Sequence, residues 1–187
     1  MKTLILASQS PRRRELLERC QIPFICEPAD IDESLDLTRP LTEEIERLSR
    51  QKAEHVLQKH PDAVVIGSDT LVAVDGKPLG KPHSEEEAGM MLAALQGRTH
   101  QVITGLAVIS TQRQYLSHET AEVVFEAMDH AEIMKYVATG ECMDKAGAYG
   151  IQGYGGRYVK EIHGDFYAIM GLPLHLLYRE LKNLSMY

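Results

Sequence analysis

Five consecutive residues, Ala63-Val64-Val65-Ile66-Gly67, carry no polar side chain, and an unbroken apolar run of that length belongs in a strand covered on both faces, as in the middle of an α/β sheet. It ends at Ser68-Asp69-Thr70, after which Leu71-Val72-Ala73-Val74 reads as a further strand and Asp75-Gly76 as a two-residue hairpin turn. Residues 3–7 and 23–27 read as short strands, with Ser10-Pro11 between them as an N-cap and a first-turn proline for a helix to about residue 20. Thr42 is expected to cap a long helix reaching about residue 59, and Ser84 with Glu87 forms a capping box for a helix stopping near Gly97. Residues 101–110 and 115–127 are expected to pair as a second hairpin. Asp129 with Glu132 opens a helix closed by Gly140, and residues 158–163 and 166–170, around Gly164-Asp165, read as a third hairpin before a last helix from Pro173. Strands and helices interleave without strict alternation, which predicts an α/β fold with a mixed sheet flanked by helices.

The chain has 187 residues and no evident linker, so residues 1–187 are expected to form one domain. With 27 acidic against 20 basic side chains the net charge is −7, which disfavours nucleic acid and acidic membrane as partners and makes any anion site local. Cys20, Cys26 and Cys142 have no metal-ligand spacing and read as reduced thiols. The apolar stretch within Met1-Lys2-Thr3-Leu4-Ile5-Leu6-Ala7 is too short for a signal peptide, and no run approaches the length of a membrane span. A cytoplasmic location is the expectation.

Five segments are candidates for chemistry. In Ser8-Gln9-Ser10-Pro11-Arg12-Arg13-Arg14 a helix start offers free N–H groups to a phosphate, while arginines there oppose the macrodipole. A bound anion would resolve that conflict; the alternative is a solvated face paired with Glu15 and Glu18. Lys52 falls in the apolar stripe of Ile45, Leu48, Ala53, Val56 and Leu57, where a lysine either snorkels outward or meets a buried anion. Asp69 is placed at the carboxyl end of a central strand, where a carboxylate can accept a proton from water or hold a metal; a turn aspartate is the plainer reading. Lys81, in Gly80-Lys81-Pro82, could return beside it or remain a solvated loop lysine.

Asp30, Asp32 and Glu33 alternate as hard oxygen donors suited to Mg²⁺ or Mn²⁺, although such clusters are more often solvated loops. Asp144-Lys145-Ala146-Gly147-Ala148-Tyr149-Gly150-Ile151-Gln152-Gly153 opens the glycine-rich stretch 144–156. Glycine permits close approach to a flat ligand, and the Gln152 amide can read a base edge. This favours ligand contact over a purely structural loop.

Together these segments, with Gly67-Ser68-Asp69-Thr70, resemble the Maf family of nucleotide pyrophosphatases along essentially the whole chain. The resemblance implies a fold like that of the inosine triphosphate pyrophosphatases, with two lobes around a cleft, a divalent-metal requirement (Mg²⁺ or Mn²⁺) and a homodimer. By position, Asp69 matches the family's catalytic carboxylate, and Ser8, Arg13, Glu33, Lys52, Lys81 and Gln152 its other polar residues. Arg12, Thr70 and Gln152 fall where subfamilies differ, in a combination similar to the branch acting on dTTP and UTP rather than 7-methyl-GTP. The expected reaction is hydrolysis of a nucleoside triphosphate to the monophosphate and pyrophosphate, with Asp69 and Glu33 as base or metal ligands and Ser8, Arg12, Arg13, Lys52, Thr70, Lys81 and Gln152 binding substrate. One rival is a nucleotide-binding regulator of septum formation without essential catalysis. Another, a kinase, is disfavoured by the lack of a Walker or kinase motif.

Overall fold

In the computed structural model, residues 2–186 are described. Met1, at the head of the opening apolar segment, and Tyr187, the last residue of the expected domain, lie outside them. The elements run β1 (Leu4–Leu6), α1 (Pro11–Glu18), β2 (Phe24–Cys26), α2 (Leu41–Leu57), β3 (Val64–Val74), β4 (Lys77–Leu79) and α3 (Glu85–Leu95). There follow β5 (Thr99–Ser110), β6 (Arg113–Phe125), α4 (His130–Val137), 3₁₀ turns at Ala146–Ala148 and Tyr154–Tyr158, β7 (Val159–His163), α5 (Phe166–Met170) and α6 (Leu174–Asn183). The seven strands form one sheet in the order β2-β1-β3-β5-β6-β7, with β4 on β3. β1 is parallel to β2 and β3, whereas β4 on β3 and β7 on β6 are antiparallel, so the sheet is mixed, as expected.

The local stop and start signals behave as their chemistry dictates. Ser84 accepts a hydrogen bond from the Glu87 amide at 3.1 Å, and Asp129 and Glu132 close a reciprocal capping box on α4. Asp75 and Gly76 both take positive φ, 51° and 72°, which a type I′ turn requires between β3 and β4.

Three expectations are corrected. α2 begins at Leu41 behind Pro40 and has no side-chain cap, so Thr42 already lies in its first turn. The preceding loop is instead held by Glu44, which accepts from the Asp36 amide at 2.9 Å. Ser68-Asp69-Thr70 does not end a strand: β3 continues through it, and Asp69 sits in mid-strand. The polar side chains there find lateral partners, Ser68 Oγ donating towards the carbonyls of Gly105 (2.7 Å) and Gly171 (3.0 Å). Residues 166–170 form helix α5 rather than a strand, because Asp165 accepts from the Tyr167 amide through its side chain and from the Ile169 amide through its carbonyl.

The chain divides into two compact units, Met1–Thr70 with Thr104–Glu119 and Gly171–Tyr187 in the first, Leu71–Ile103 with Thr120–Met170 in the second. In the first, Ile5, Val65, Ala107 and Ile109 from the sheet, and Ala7 just after β1, pack with Ala53 and Val56 of α2. The helix approaches so closely that a Cβ on Gly67 would overlap the Ser49 carbonyl oxygen and lie 2.9 Å from the Ala53 nitrogen, and one on Gly105 would lie 2.6 Å from the Ile45 oxygen.

The second unit is centred on Val72, Leu92, Leu95, Val123, Phe125, Tyr136 and Tyr149. His100, 2% exposed, lies edge-on to Phe125 and has Nε2 2.8 Å from the Tyr149 hydroxyl, while Nδ1 has no partner. Burial pushes its pKa down to about 4. Between pH 6.5 and 4 the unfolded chain therefore binds a proton that the folded chain refuses, and stability falls as pH falls through that window. The expected slope approaches about 1.4 kcal/mol per pH unit. Urea unfolding at pH 7, 6 and 5 reads it, and a His100→Phe variant with the same slope would remove His100 as its source.

Among the described residues no helix is long and apolar enough to cross a membrane.

Candidate active site

The strand-helix junction at residues 7–13 is assembled by local bonds. The Ala7 amide completes the β1 ladder by donating to the Ile66 carbonyl at 2.8 Å, and Ser8 Oγ accepts from the Ser10 amide at 3.1 Å. Ser10 then caps α1, its hydroxyl accepting from the Arg13 amide in a long bond of 3.5 Å. From this turn the arginines diverge. Arg14 turns outward and pairs with Glu18 at 3.0 Å, the solvated arrangement.

Arg13 turns inward. Its Nε donates to the Gly171 carbonyl at 2.8 Å, its Nη2 to Thr70 Oγ1 at 3.1 Å and its Nη1 to Ser8 Oγ at 3.4 Å, with Asp69 Oδ1 3.9 Å away. Burial pulls the guanidinium below its usual pKa while Asp69 acts against that, and an arginine remains a cation in either case. Arg12 is half-buried in the same turn, and its charge is felt at Arg13. Thr70 also accepts from Thr104 Oγ1 at 3.0 Å, which fixes the hydroxyl that Arg13 grips.

Lys52 resolves in favour of the buried anion. The close packing of α2 on Gly67 carries its ammonium to the middle of β3, where Nζ lies 2.7 Å from Asp69 Oδ1 and 3.0 Å from Glu33 Oε1. The lysine side chain is 8% exposed, Asp69 16% and Glu33 53%, so the two carboxylates meet one shielded cation from the sheet and from the loop. Ser8, Arg13, Glu33, Lys52, Asp69 and Thr70 are thus one connected network within the first unit. Asp30 and Asp32 stay out of it: Asp32 is turned back onto the amide and hydroxyl of Ser34. Among the described residues no group of three or more His, Cys, Asp or Glu gathers as a metal cage.

Lys81 and Gln152 belong to the second unit, where both are exposed. The Gly80 carbonyl accepts from the Gly147 amide at 3.1 Å, so the Lys81 segment is tied to the start of the glycine-rich stretch. The glycines of that stretch also answer to contacts within the chain. A Cβ on Gly153 would lie 2.6 Å from the Glu141 carboxyl carbon, one on Gly155 2.6 Å from the Tyr136 hydroxyl, and one on Gly147 2.8 Å from Val72. The loop wraps a carboxylate: Glu141 accepts from the Tyr136 hydroxyl (2.8 Å), the Tyr154 amide (2.7 Å) and the Gly155 amide (3.0 Å). Burial would raise the Glu141 pKa, but these bonds prevail and hold it below the usual range.

Sequence reasoning missed Glu141, Ser68, Thr104 and Gly171. Gly171 has φ 118°, a conformation that other residues rarely adopt, and its carbonyl accepts from both Arg13 and Ser68. Its place just ahead of Leu172-Pro173 was the one available signal, since glycine before a proline-led helix marks a special backbone position.

The family model described as Maf-like protein matches residues 3–184. The chain is 49% identical over 184 residues to a dTTP/UTP pyrophosphatase of Bacillus velezensis, covering 98% of this chain and 97% of that one. It is 47% identical over 182 residues to a dTTP/UTP pyrophosphatase of Halalkalibacterium halodurans, covering 97% and 96%. A dTTP/UTP pyrophosphatase of a Geobacillus species is 46% identical over 185 residues, covering 99% and 100%. Among solved structures, the Staphylococcus aureus Ham1 protein superposes with a TM-score of 0.54 at 16% identity, over 97% of this chain and 99% of that one, a likeness of fold.

Proposed function

Since this chain belongs to the Maf family, we propose that it hydrolyses dTTP and UTP, or modified pyrimidine nucleotides, to the monophosphate and pyrophosphate. The observation that carries the proposal is the single ammonium of Lys52 held between Asp69 and Glu33, with the Arg13 guanidinium alongside. Two fixed cations beside two carboxylates form a site that gathers phosphate oxygens and places a proton acceptor next to them.

In this reading the start of α1, Ser8, Arg12, Arg13 and Lys52 orient the triphosphate. Asp69 takes a proton from the water whose oxygen bonds to the α phosphorus. The bond from that phosphorus to the α–β bridging oxygen breaks, and pyrophosphate leaves with its electron pair. Glu33 and Asp69 are also the fitting ligands for a divalent cation, because Mg²⁺ is typically held by one or two carboxylates together with substrate phosphates and water. Mg²⁺ or Mn²⁺ bound there would supply neutralisation of phosphate charge. Lys81, Thr70 and Gln152 are kept as substrate-binding residues on the resemblance, which also implies a homodimer; the single domain is kept on chain length and the cytoplasmic location on the reduced thiols.

The test is a panel of canonical and methylated nucleoside triphosphates with Mg²⁺ or Mn²⁺, reading pyrophosphate and orthophosphate separately. UTP and dTTP are expected to release pyrophosphate, with a kcat/KM at least about tenfold above that for 7-methyl-GTP, the discrimination that about 1.4 kcal/mol of differential binding provides. Preference for 7-methyl-GTP would overturn the substrate assignment, and release of orthophosphate would overturn the reaction.

A further inference from the structure

We infer that Glu44 and Arg47 are positioning residues, an ion pair on α2 that holds the loop after Glu33 so that the Glu33 carboxylate stays against Lys52. The inference rests on the proposed role of Glu33 and extends it to two residues that lie outside the reaction centre. Glu44 is fully buried, and Arg47 grips both of its carboxylate oxygens, Nε at 3.0 and 3.1 Å and Nη2 at 2.6 Å. Each partner also reaches the loop backbone: Arg47 Nη2 donates to the Ser34 carbonyl at 2.8 Å, and Glu44 accepts from the Asp36 amide at 2.9 Å.

Glu33 is therefore followed at once by two pinned backbone groups, and the pins stand on the same helix as Lys52, to which Glu33 points. Loop and target share one rigid element. The need for such pins follows from exposure, since a carboxylate 53% exposed and held by one ion pair alone is weakly held. Nor does burial of the pair by itself imply a role in stability, because well-packed apolar residues in place of a buried ion pair are often as stable or more so. The Arg47 hydrogen bonds, with the Asp36 amide second, push the Glu44 pKa down to about 2, as expected of a permanently charged clamp.

The test combines amide exchange with a double-substitution cycle. Arg47→Lys keeps the charge and much of the stem but loses the fork that spans Glu44 and the Ser34 carbonyl. It is expected to speed exchange of the Asp36 amide by about tenfold while exchange in β1 is unchanged, and to lower kcat/KM for UTP by about tenfold. In a Glu33→Gln background the same substitution is expected to cost less than about twofold, because the group it positions is already gone. Glu44→Gln, which keeps the shape and removes the charge, is expected to repeat the pattern if Arg47→Lys folds poorly. Equal losses in both backgrounds, or unchanged exchange at Asp36, would overturn the inference. Full activity of Glu33→Gln alongside accelerated loop exchange would instead remove Glu33 from the reaction, which is a failure of the functional reading and leaves the clamp in place.

Discussion

Asp69→Asn is expected to lower turnover of UTP by about 10³-fold, within the range that general-base groups contribute, while leaving the unfolding temperature within a few degrees. The asparagine retains an oxygen for Lys52 and Arg13, whose Nζ and Nη2 lie 2.7 and 3.9 Å from the carboxylate they now face, so the packing of α2 on β3 survives. What is lost is the group able to take the proton from water. Lys52 stays partnered by Glu33 at 3.0 Å, which spares the fold an unpaired buried charge. Single-turnover measurements with saturating UTP separate chemistry from binding, and wild-type turnover in this variant would take Asp69 out of the mechanism.

The largest effect on stability is expected from Gly67→Ala. The new methyl group would have to occupy the position of the Ser49 carbonyl oxygen and stand 2.9 Å from the Ala53 nitrogen, so helix backbone, not a flexible side chain, must move. The expected cost is about 3 kcal/mol or more, at the upper end of overpacking effects, with loss of activity because Lys52 rides on the displaced helix. Gly80→Ala is the matched comparison: nothing lies within 4 Å of its Cβ and its φ is not positive, so it is expected to stay within about 0.5 kcal/mol of wild type. Urea unfolding of the two variants reads the difference, and equal midpoints would mean that the helix-sheet approach is looser than the geometry requires.

These two predictions mark where local and distant information part. Ser10, Ser84 and Asp129 announce helix starts because each cap bonds an amide three residues away. Asp75-Gly76 announces its turn because both residues tolerate positive φ. The mixed sheet followed from the order of such signals, and the cationic junction around Arg13 from the misfit of arginines with a helix start. Lys52 in an apolar stripe was legible as an anomaly, though its partner was not.

The misreadings have different origins. Ser68-Asp69-Thr70 looks like a strand end when only chain neighbours are considered, yet the strand continues because Gly105, Gly171, Arg13 and Lys52, all distant in sequence, satisfy those side chains. Residues 166–170 were ambiguous because a five-residue apolar run has no period long enough to separate helix from strand. The glycine-rich stretch declared its unusual backbone but not whether a ligand or the Glu141 carboxylate required it.

By itself, the order of residues determined most of the elements, the caps at Ser10, Ser84 and Asp129, the Asp75-Gly76 turn, the α/β class and the family, since hydrogen bonds over a few residues and the burial of apolar faces are written locally. Only the tertiary structure decided which charges meet. Lys52 joins Asp69 to Glu33 because a helix packed on two side-chain-free positions of a sheet sets those distances, and no local pattern encodes them.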